Sequence, residues 1–103
     1  MRRFLFTAIA MLMLASPAAG QDAEVGDDYE ITIATEENNQ YVGSYGQVRI
    51  GSVVVMVPDA KADERYMVSI TAIRVNQYTD ERQASCEFKQ VGGDRTGECL
   101  GAP

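Results

Sequence analysis

Polar and apolar residues alternate over residues 46–50, and an unbroken apolar run rich in valine follows over residues 53–57. Gly51 and Ser52 separate the two runs, and Pro58 ends the second because proline has no N–H to donate to a neighbouring strand. Alternation predicts a strand with one buried face, whereas a continuous apolar run predicts a strand covered on both faces. The pattern therefore predicts a central β-hairpin around which the rest of the chain folds.

Three further segments have the pattern of strands. Residues 29–36 alternate at a period of two, and residues 84–91 form a short segment that follows a polar loop. Residues 65–75 also alternate, but the phase shifts by one residue after Ile70, which indicates a β-bulge. In residues 29–36, the residues predicted to face inward are Tyr29, Ile31 and Ile33. In residues 65–75, they are Tyr66, Val68, Ile70, Ile73 and Val75. Polar loops are predicted over residues 37–44 and 76–83.

These segments predict an all-β fold. Outside residues 1–20, no stretch repeats its apolar residues at the helical period of 3.6. Five short strands without a long helix favour a closed or partly closed barrel, since closure removes the exposed edges of a flat sheet. We therefore expect a five-stranded, OB-like barrel with a C-terminal β-hairpin.

The N-terminal residues have the pattern of a secretory signal peptide. Arg2 and Arg3 precede a predominantly apolar segment of twelve residues, 4–15, and small residues then allow cleavage after Gly20 or Ala18. Twelve residues of helix reach about 18 Å, whereas a bilayer core is about 30 Å thick, so a membrane-spanning helix is disfavoured. We expect a cleaved signal over residues 1–20, export to the periplasm or secretion, and a flexible acidic lead-in over residues 21–28. A single domain over residues 29–103 would follow.

The chain is strongly acidic without this signal. Loss of Arg2 and Arg3 leaves seven Lys and Arg against fifteen Asp and Glu, a formal net charge of −8. A surface of this sign repels phosphate backbones on average and suits cationic partners. The simpler explanation, an acidic exported protein that merely stays soluble, also accounts for the charge.

The two cysteines, Cys86 and Cys99, are expected to form a disulfide. Two cysteines in a small exported chain favour a bridge over a thiol site. Gly92 and Gly93 suit a two-residue hairpin turn in which both residues have positive φ. Pairing the residues on either side of this turn puts Cys86 opposite Cys99, on a rung without hydrogen bonds between the two residues.

The residue inventory argues against catalysis. The chain has no histidine, which excludes Ser/His/Asp and Cys/His arrangements and removes the commonest metal ligand. Its paired carboxylates are adjacent in sequence and would point to opposite faces of a strand. No glycine-rich phosphate loop or calcium loop is present. We therefore expect no enzymatic activity, no cofactor and no metal site.

A binding module is the better interpretation. Small barrels use exposed aromatic residues as stacking platforms, with Arg or Lys beside them for phosphates. If these residues share one side of the barrel they form a binding surface, whereas in the alternative the tyrosines cap the barrel ends and the cations are scattered. The candidate ligand-binding residues are Tyr41, Tyr45, Arg49, Lys61, Arg74 and Tyr78.

Four segments follow the pattern of a known family. Residues 29–33 match Tyr-x-Val-x-Ile, and residues 46–50 match Gly-apolar-Ala-basic-Val with Arg49 at the basic position. Residues 52–60 correspond to Gly-Phe-Val-Val-Phe-Val-Pro-Gly-Ala, and residues 63–73 to an acidic turn and a Val-x-Val-x-Ile-x-x-Val strand. From Tyr29 to about Ile73, the chain thus resembles the TRAM domain, an OB-like β-barrel.

The resemblance implies a function as well as a fold. TRAM domains occur in RNA-modifying enzymes and in small RNA-binding proteins, so the resemblance implies a non-catalytic module that binds single-stranded nucleic acid. The alternative is a periplasmic or secreted interaction module that binds a cationic or protein partner. In either case we expect no membrane span in the mature chain.

Overall fold

The computed structural model describes residues 21–103, and the predicted signal peptide, residues 1–20, lies outside them. Within this part the chain is all-β and contains no helix. The described residues form seven strands: β1 (Asp28–Thr32), β2 (Thr35–Asn39), β3 (Gly43–Ile50), β4 (Val53–Pro58), β5 (Arg65–Val75), β6 (Arg82–Gln90) and β7 (Thr96–Glu98).

The strands form one curled, mixed sheet. Its order is β1-β5-β6-β4-β3-β2, with β7 paired to β6 outside this path. All neighbours are antiparallel except β4 and β6, which are parallel over two residue pairs, Val53 with Arg82 and Val54 with Gln83. The strands at the two ends of the order, β1 and β2, are separated along the chain only by Ile33 and Ala34. The sheet is therefore curled, and a short stretch of backbone joins its two end strands.

Main-chain hydrogen bonds hold the junction between β1 and β2 on both sides. The N–H of Ile33 donates to the carbonyl of Glu64 at 2.9 Å, before β5. The N–H of Ala34 donates to the carbonyl of Gln47 at 3.2 Å, in β3. The first predicted strand thus turns from one partner to the other at this point, which splits it in two and extends pairing to Asn39. The expected loop over residues 37–44 is confirmed only at residues 40–42, because pairing of β2 with β3 overrides the weak strand preference of asparagine on either side.

The central hairpin is confirmed. β3 and β4 pair from Tyr45 with Pro58 to Ile50 with Val53, around a turn in which Gly51 has φ of 66°. Every valine of β4 is at most 1% exposed, as expected for a strand covered on both faces. The core around this hairpin contains Ile31, Ile33, Ile50, Val53, Val55, Val57, Tyr66, Val68, Ile70, Ala84, Cys86 and Phe88.

The bulge in β5 is also confirmed. The register between β5 and β6 shifts between Ile70 and Ala72, so Thr71 is the extra residue. Before the shift, the residues predicted to face inward are buried, and after it Ile73 packs against the core. Val75 was expected to continue this face but is 56% exposed, because β5 there runs past the end of the core into the loop that begins at Asn76.

The disulfide between Cys86 and Cys99 forms with the predicted register and a Cα–Cα distance of 5.1 Å. The turn is longer than expected, because the N–H of Gln90 donates to the carbonyl of Arg95 and leaves residues 91–94 as a four-residue loop. Of the two glycines in this loop, only Gly92 has a positive φ. The longer loop also shifts the hydrogen-bonded rungs by one. The cysteines therefore share a hydrogen bond, from the Cys99 N–H to the Cys86 carbonyl at 2.7 Å, contrary to the prediction.

Arg95 connects the loop after β6 to three strands of the sheet. Its guanidinium donates to the Tyr66 hydroxyl at 2.8 Å and to the Pro58 carbonyl at 2.7 Å. It also lies 5.4 Å from the centroid of the Phe88 ring, within cation–π range. The Tyr66 hydroxyl donates to the carboxylate of Glu64 at 2.8 Å. The loop after β6 is thereby fixed to the ends of β4 and β5.

The segment before β1 is tied to the sheet, although the sequence predicted a flexible lead-in over residues 21–28. Ala23 is 2% exposed, and its N–H donates to the Ile50 carbonyl at 3.2 Å. The Asp22 carboxylate accepts the Ser52 N–H at 2.7 Å and pairs with Arg82. These hydrogen bonds hold the pKa of the Asp22 carboxyl below its ordinary value. The N-terminal segment therefore covers the turn between β3 and β4.

Candidate functional site

An open groove of about 630 Å³ crosses the surface beside β3 and β4. Its lining residues come from β2, β3, β4 and β6, from the loops at residues 40–42 and 76–81, and from the tail that follows Cys99. Its volume is in the range of small-ligand and peptide sites. The lining residues are Asn39, Tyr41, Val42, Tyr45, Met56, Asn76, Tyr78, Thr79, Gln83, Leu100, Gly101 and Pro103.

A side-chain hydrogen bond shapes the loop at residues 40–42. The Asn39 side-chain oxygen accepts the N–H of Tyr41 at 2.7 Å, which is the pattern of an Asx turn. Gly43 follows with φ of 87°, a conformation that glycine adopts without strain. The result is a tight loop that holds Tyr41 out into solvent, where its side chain is 84% exposed.

Asn76 organises the second loop in a similar way. Its side-chain oxygen accepts the N–H groups of Tyr78, at 2.8 Å, and Thr79, at 3.3 Å. Its own backbone N–H donates to the Glu81 carbonyl at 2.8 Å. Asn76 is only 8% exposed, whereas Tyr78, two residues further on, is 79% exposed. The buried side chain of Asn76 thus fixes the loop that carries the exposed ring of Tyr78 into the groove lining.

Buried amides connect this loop to the tail. The Asn76 side-chain nitrogen donates to the Gln83 side-chain oxygen at 3.0 Å, and the Gln83 nitrogen donates to the Leu100 carbonyl at 2.8 Å. The Leu100 N–H in turn donates to the Met56 carbonyl at 2.8 Å. The tail therefore fills the gap that opens between β4 and β6 beyond their two paired residues. It forms one wall of the groove, directly after the disulfide.

Tyr45 lies deeper in the groove than the two exposed tyrosines. It is 8% exposed, and its hydroxyl donates to the Glu37 carboxylate at 3.1 Å. Burial, followed by the hydrogen bond and the charge of Glu37, raises the pKa of the Tyr45 hydroxyl above its ordinary value of 10.0. The hydroxyl therefore stays protonated and acts as a neutral donor at the groove wall.

The six candidate ligand-binding residues divide into two groups. The three tyrosines, Tyr41, Tyr45 and Tyr78, line the same groove. The three cations, Arg49, Lys61 and Arg74, do not. Of the expected surface of aromatic and basic residues, only the three tyrosines therefore lie together.

Two of these cations form ion pairs with acidic residues. Arg49 pairs with Glu81 at 2.7 Å, and Lys61 pairs with Glu36 at 3.7 Å. Arg74 is exposed on β5, in register with Gln83 of β6. Exposed pairs of this kind contribute little to stability, but they lower the local positive charge that a phosphate would meet.

Sequence reasoning missed several residues that build the groove: Met56, Asn76, Gln83 and Leu100. An asparagine at the start of a polar loop is a signal for an Asx turn, so Asn76 could have been found. Gln83 and Leu100 carry no local signal, because they come together only through the disulfide and the pairing of β6 with the tail.

Among the described residues that line the groove, none has a charged side chain. Residues 21–103 contain no cluster of side chains able to hold a metal ion. Over the same residues, no helix is long and apolar enough to cross a membrane. Comparison with protein-family models, curated proteins and solved structures finds no match to this chain.

Proposed function

We propose that this protein is a non-catalytic, exported binding module with an OB-type, TRAM-like barrel, and that its ligand lies in the tyrosine-lined groove. The observation that carries the proposal is that aromatic side chains from two separate loops, Tyr41 and Tyr78, line the same groove as residues of β3 and β4. Export rests on the sequence pattern of residues 1–20, and a disulfide is compatible with an oxidising compartment.

The strand order supports the OB-type assignment. If β1 and β2 are counted as one bent strand and β7 is set aside, the sheet has five strands in the order 1-2-3-5-4-1. The third and fifth strands, β4 and β6, are parallel, and every other pair is antiparallel. This is the order of strands in the OB-fold, and a bent first strand that pairs on both sides closes such a barrel.

The position of the groove supports the assignment as well. OB-folds bind ligands on the face of their second and third strands, between the loop after the first strand and the loop before the fifth. Here these elements are β3, β4 and the loops at residues 40–42 and 76–81. Because fold alone does not determine a ligand, the chemistry of the groove has to decide between ligand classes.

The chemistry of the groove favours a protein partner over nucleic acid. Nucleic-acid sites combine stacking rings with cations that follow the backbone. In this groove the rings are present without the cations, and Arg49, at the basic position of the TRAM pattern, is held by Glu81. With a net charge of −8 over residues 21–103, the protein suits a cationic partner.

A titration of the isotope-labelled protein, followed by NMR, tests the proposal. Single-stranded RNA and a lysine-rich peptide are added separately at low and at physiological salt. We expect the peptide to shift the amide signals of residues 40–45 and 76–79 in a saturable way. RNA should bind weakly, and the substitution Arg49→Glu should weaken it further.

The proposed function is wrong if no probe shifts the signals of the groove, or if all shifts are spread evenly over the surface. Salt-sensitive RNA binding at the groove that is stronger than peptide binding would favour nucleic acid as the ligand.

A further inference from the structure

The aromatic lining of the groove favours a flat, apolar group. Tyr41 and Tyr78 are 84% and 79% exposed, although burial of an aromatic side chain is a major source of stability in folding and binding. Met56 and Leu100 add apolar side chains to the same lining. Exposed aromatic residues gathered in one groove with other apolar residues indicate a surface that is covered by a partner.

Apart from the hydroxyls of Tyr41 and Tyr78, most polar side chains of the groove already make hydrogen bonds inside the protein. The Asn39 oxygen accepts from a backbone N–H, and the amides of Asn76 and Gln83 bond to each other and to the tail. Recognition of a sugar requires several free, directional groups for its hydroxyls, and recognition of phosphate requires cations. The groove lining supplies neither in quantity, so it fits an apolar segment better than a saccharide or a nucleotide.

The side chains of Tyr41 and Tyr78 are exposed, so their hydroxyls are accessible to donate hydrogen bonds to a ligand. A polyproline II segment has the complementary property, because its backbone carbonyls have no internal partner and accept hydrogen bonds from outside. Its proline rings pack against aromatic faces, and its conformation is largely preformed, which reduces the entropy lost on binding. Tyrosine therefore offers both contacts that such a segment needs.

Charges around the groove add a preference for a basic residue in the ligand. Glu37 lies behind Tyr45 at 3.1 Å from its hydroxyl, and Asp80 and Glu81 follow Thr79 in the second loop. Glu81 is paired with Arg49, whereas Glu37, which contacts the lining residue Tyr45, makes no ion pair with a described residue. A Lys or Arg beside the prolines would be attracted to these carboxylates, and the net charge of the protein acts in the same direction.

Resting on the proposed function of the groove, we infer that its ligand is an extended, proline-containing segment of a partner protein with a Lys or Arg next to the prolines. The proline rings lie against Tyr41 and Tyr78, and the tyrosine hydroxyls donate to the carbonyls of the segment. The basic side chain lies toward Glu37 and Asp80. Apolar contact supplies the affinity and the charges contribute orientation.

Four probes test the inference with the full chain: a synthetic proline-rich peptide with two arginines, the same peptide with glycine and serine in place of proline, the same peptide with glutamate in place of arginine, and a neutral oligosaccharide. Binding is measured by calorimetry and located by NMR. We expect saturable binding of the first peptide at the groove and a loss of at least about tenfold with each altered peptide.

Variants of the protein separate specific from general binding. Tyr41→Ala and Tyr78→Ala should each weaken the first peptide about tenfold, because a buried aromatic contact is worth more than 1.4 kcal/mol. Both side chains are exposed, so the fold should tolerate either change. The matched control is Val25→Ala, which shortens a side chain that is 58% exposed and does not line the groove. It should bind as the unaltered protein does.

Three other results would overturn the inference, and each would exclude a different part of it. Equal binding of the proline-rich and glycine-serine peptides would remove proline recognition but keep a basic-peptide site in the groove. Binding of the oligosaccharide alone would replace the ligand class and leave the proposed function in place. If no probe binds the groove, the inference and the proposed function both fail.

Discussion

Removal of the disulfide should destabilise the protein by about 3 kcal/mol. The bridge joins residues separated by 13 positions, and the chain-entropy relation for a loop of this length gives about 3 kcal/mol at 25 °C. For a domain of this size, each kcal/mol corresponds to roughly 4–8 °C in Tm. The double variant Cys86→Ala/Cys99→Ala should therefore unfold about 12–24 °C below the oxidised protein.

Urea and thermal unfolding, followed by far-ultraviolet circular dichroism, measure this difference. Cys86 and Cys99 are 3% and 8% exposed, so replacement by alanine also removes packed sulfur atoms. The unaltered protein under reducing conditions serves as the control, because it loses the crosslink and keeps the side chains. The difference between the reduced protein and the double variant then gives the packing contribution.

Hydrogen exchange adds a local readout for the same perturbation. The Leu100 N–H is bonded to the Met56 carbonyl directly after Cys99, so its exchange should accelerate on reduction more than that of the β3–β4 hairpin. A loss of stability below 1 kcal/mol, with unchanged exchange at Leu100, would refute the reasoning. It would show that pairing of β7 and the tail holds this region without the crosslink.

The remaining predictions concern packing and ionisation. Gly46→Ala should cost about 1–3 kcal/mol, because an added Cβ would lie 2.5 Å from Ile33, and an unchanged urea midpoint would contradict this. Arg95→Met should cost about 2 kcal/mol through its lost hydrogen bonds and ring contacts, whereas Arg74→Met should change stability by less than about 0.5 kcal/mol. Hydrogen bonds lower the pKa of the Glu64 carboxyl from its ordinary 4.5, so stability should fall as the pH drops below that value, and Glu64→Gln should flatten this dependence. The pKa of Tyr45 is raised, so its tyrosinate absorbance should appear only above pH 10.

Elements that depend on near neighbours in sequence could be predicted. The β3–β4 hairpin follows from two residue patterns and a glycine turn, and the bulge at Thr71 follows from a phase shift within one segment. The register of Cys86 with Cys99 follows from counting outward from two glycines, although the turn itself is longer. In each case the information lies within about fifteen residues.

Elements that depend on distant partners could not be predicted. Pairing of β2 with β3 turns asparagine-containing sequence into strand, and no local signal marks the bend at Ile33 and Ala34. The tyrosines of the groove were found because aromatic residues in polar loops are conspicuous. Arg49 was assigned to the same surface, but it pairs with Glu81, which lies 32 residues further along the chain. The sequence does not reveal a pair between residues so far apart.

The short parallel contact between β4 and β6 has a consequence for the order in which the molecule assembles. Only two residue pairs join these strands directly, and residues 99 and 100 bridge them further along. Earlier segments can form hairpins during synthesis, but the contact between β4 and β6 is completed only when residues 99 and 100 are in place. A chain that threads through a membrane as an unfolded polymer would thus remain incomplete until its final portion has crossed, and oxidation of the two sulfur atoms would then lock the finished shape.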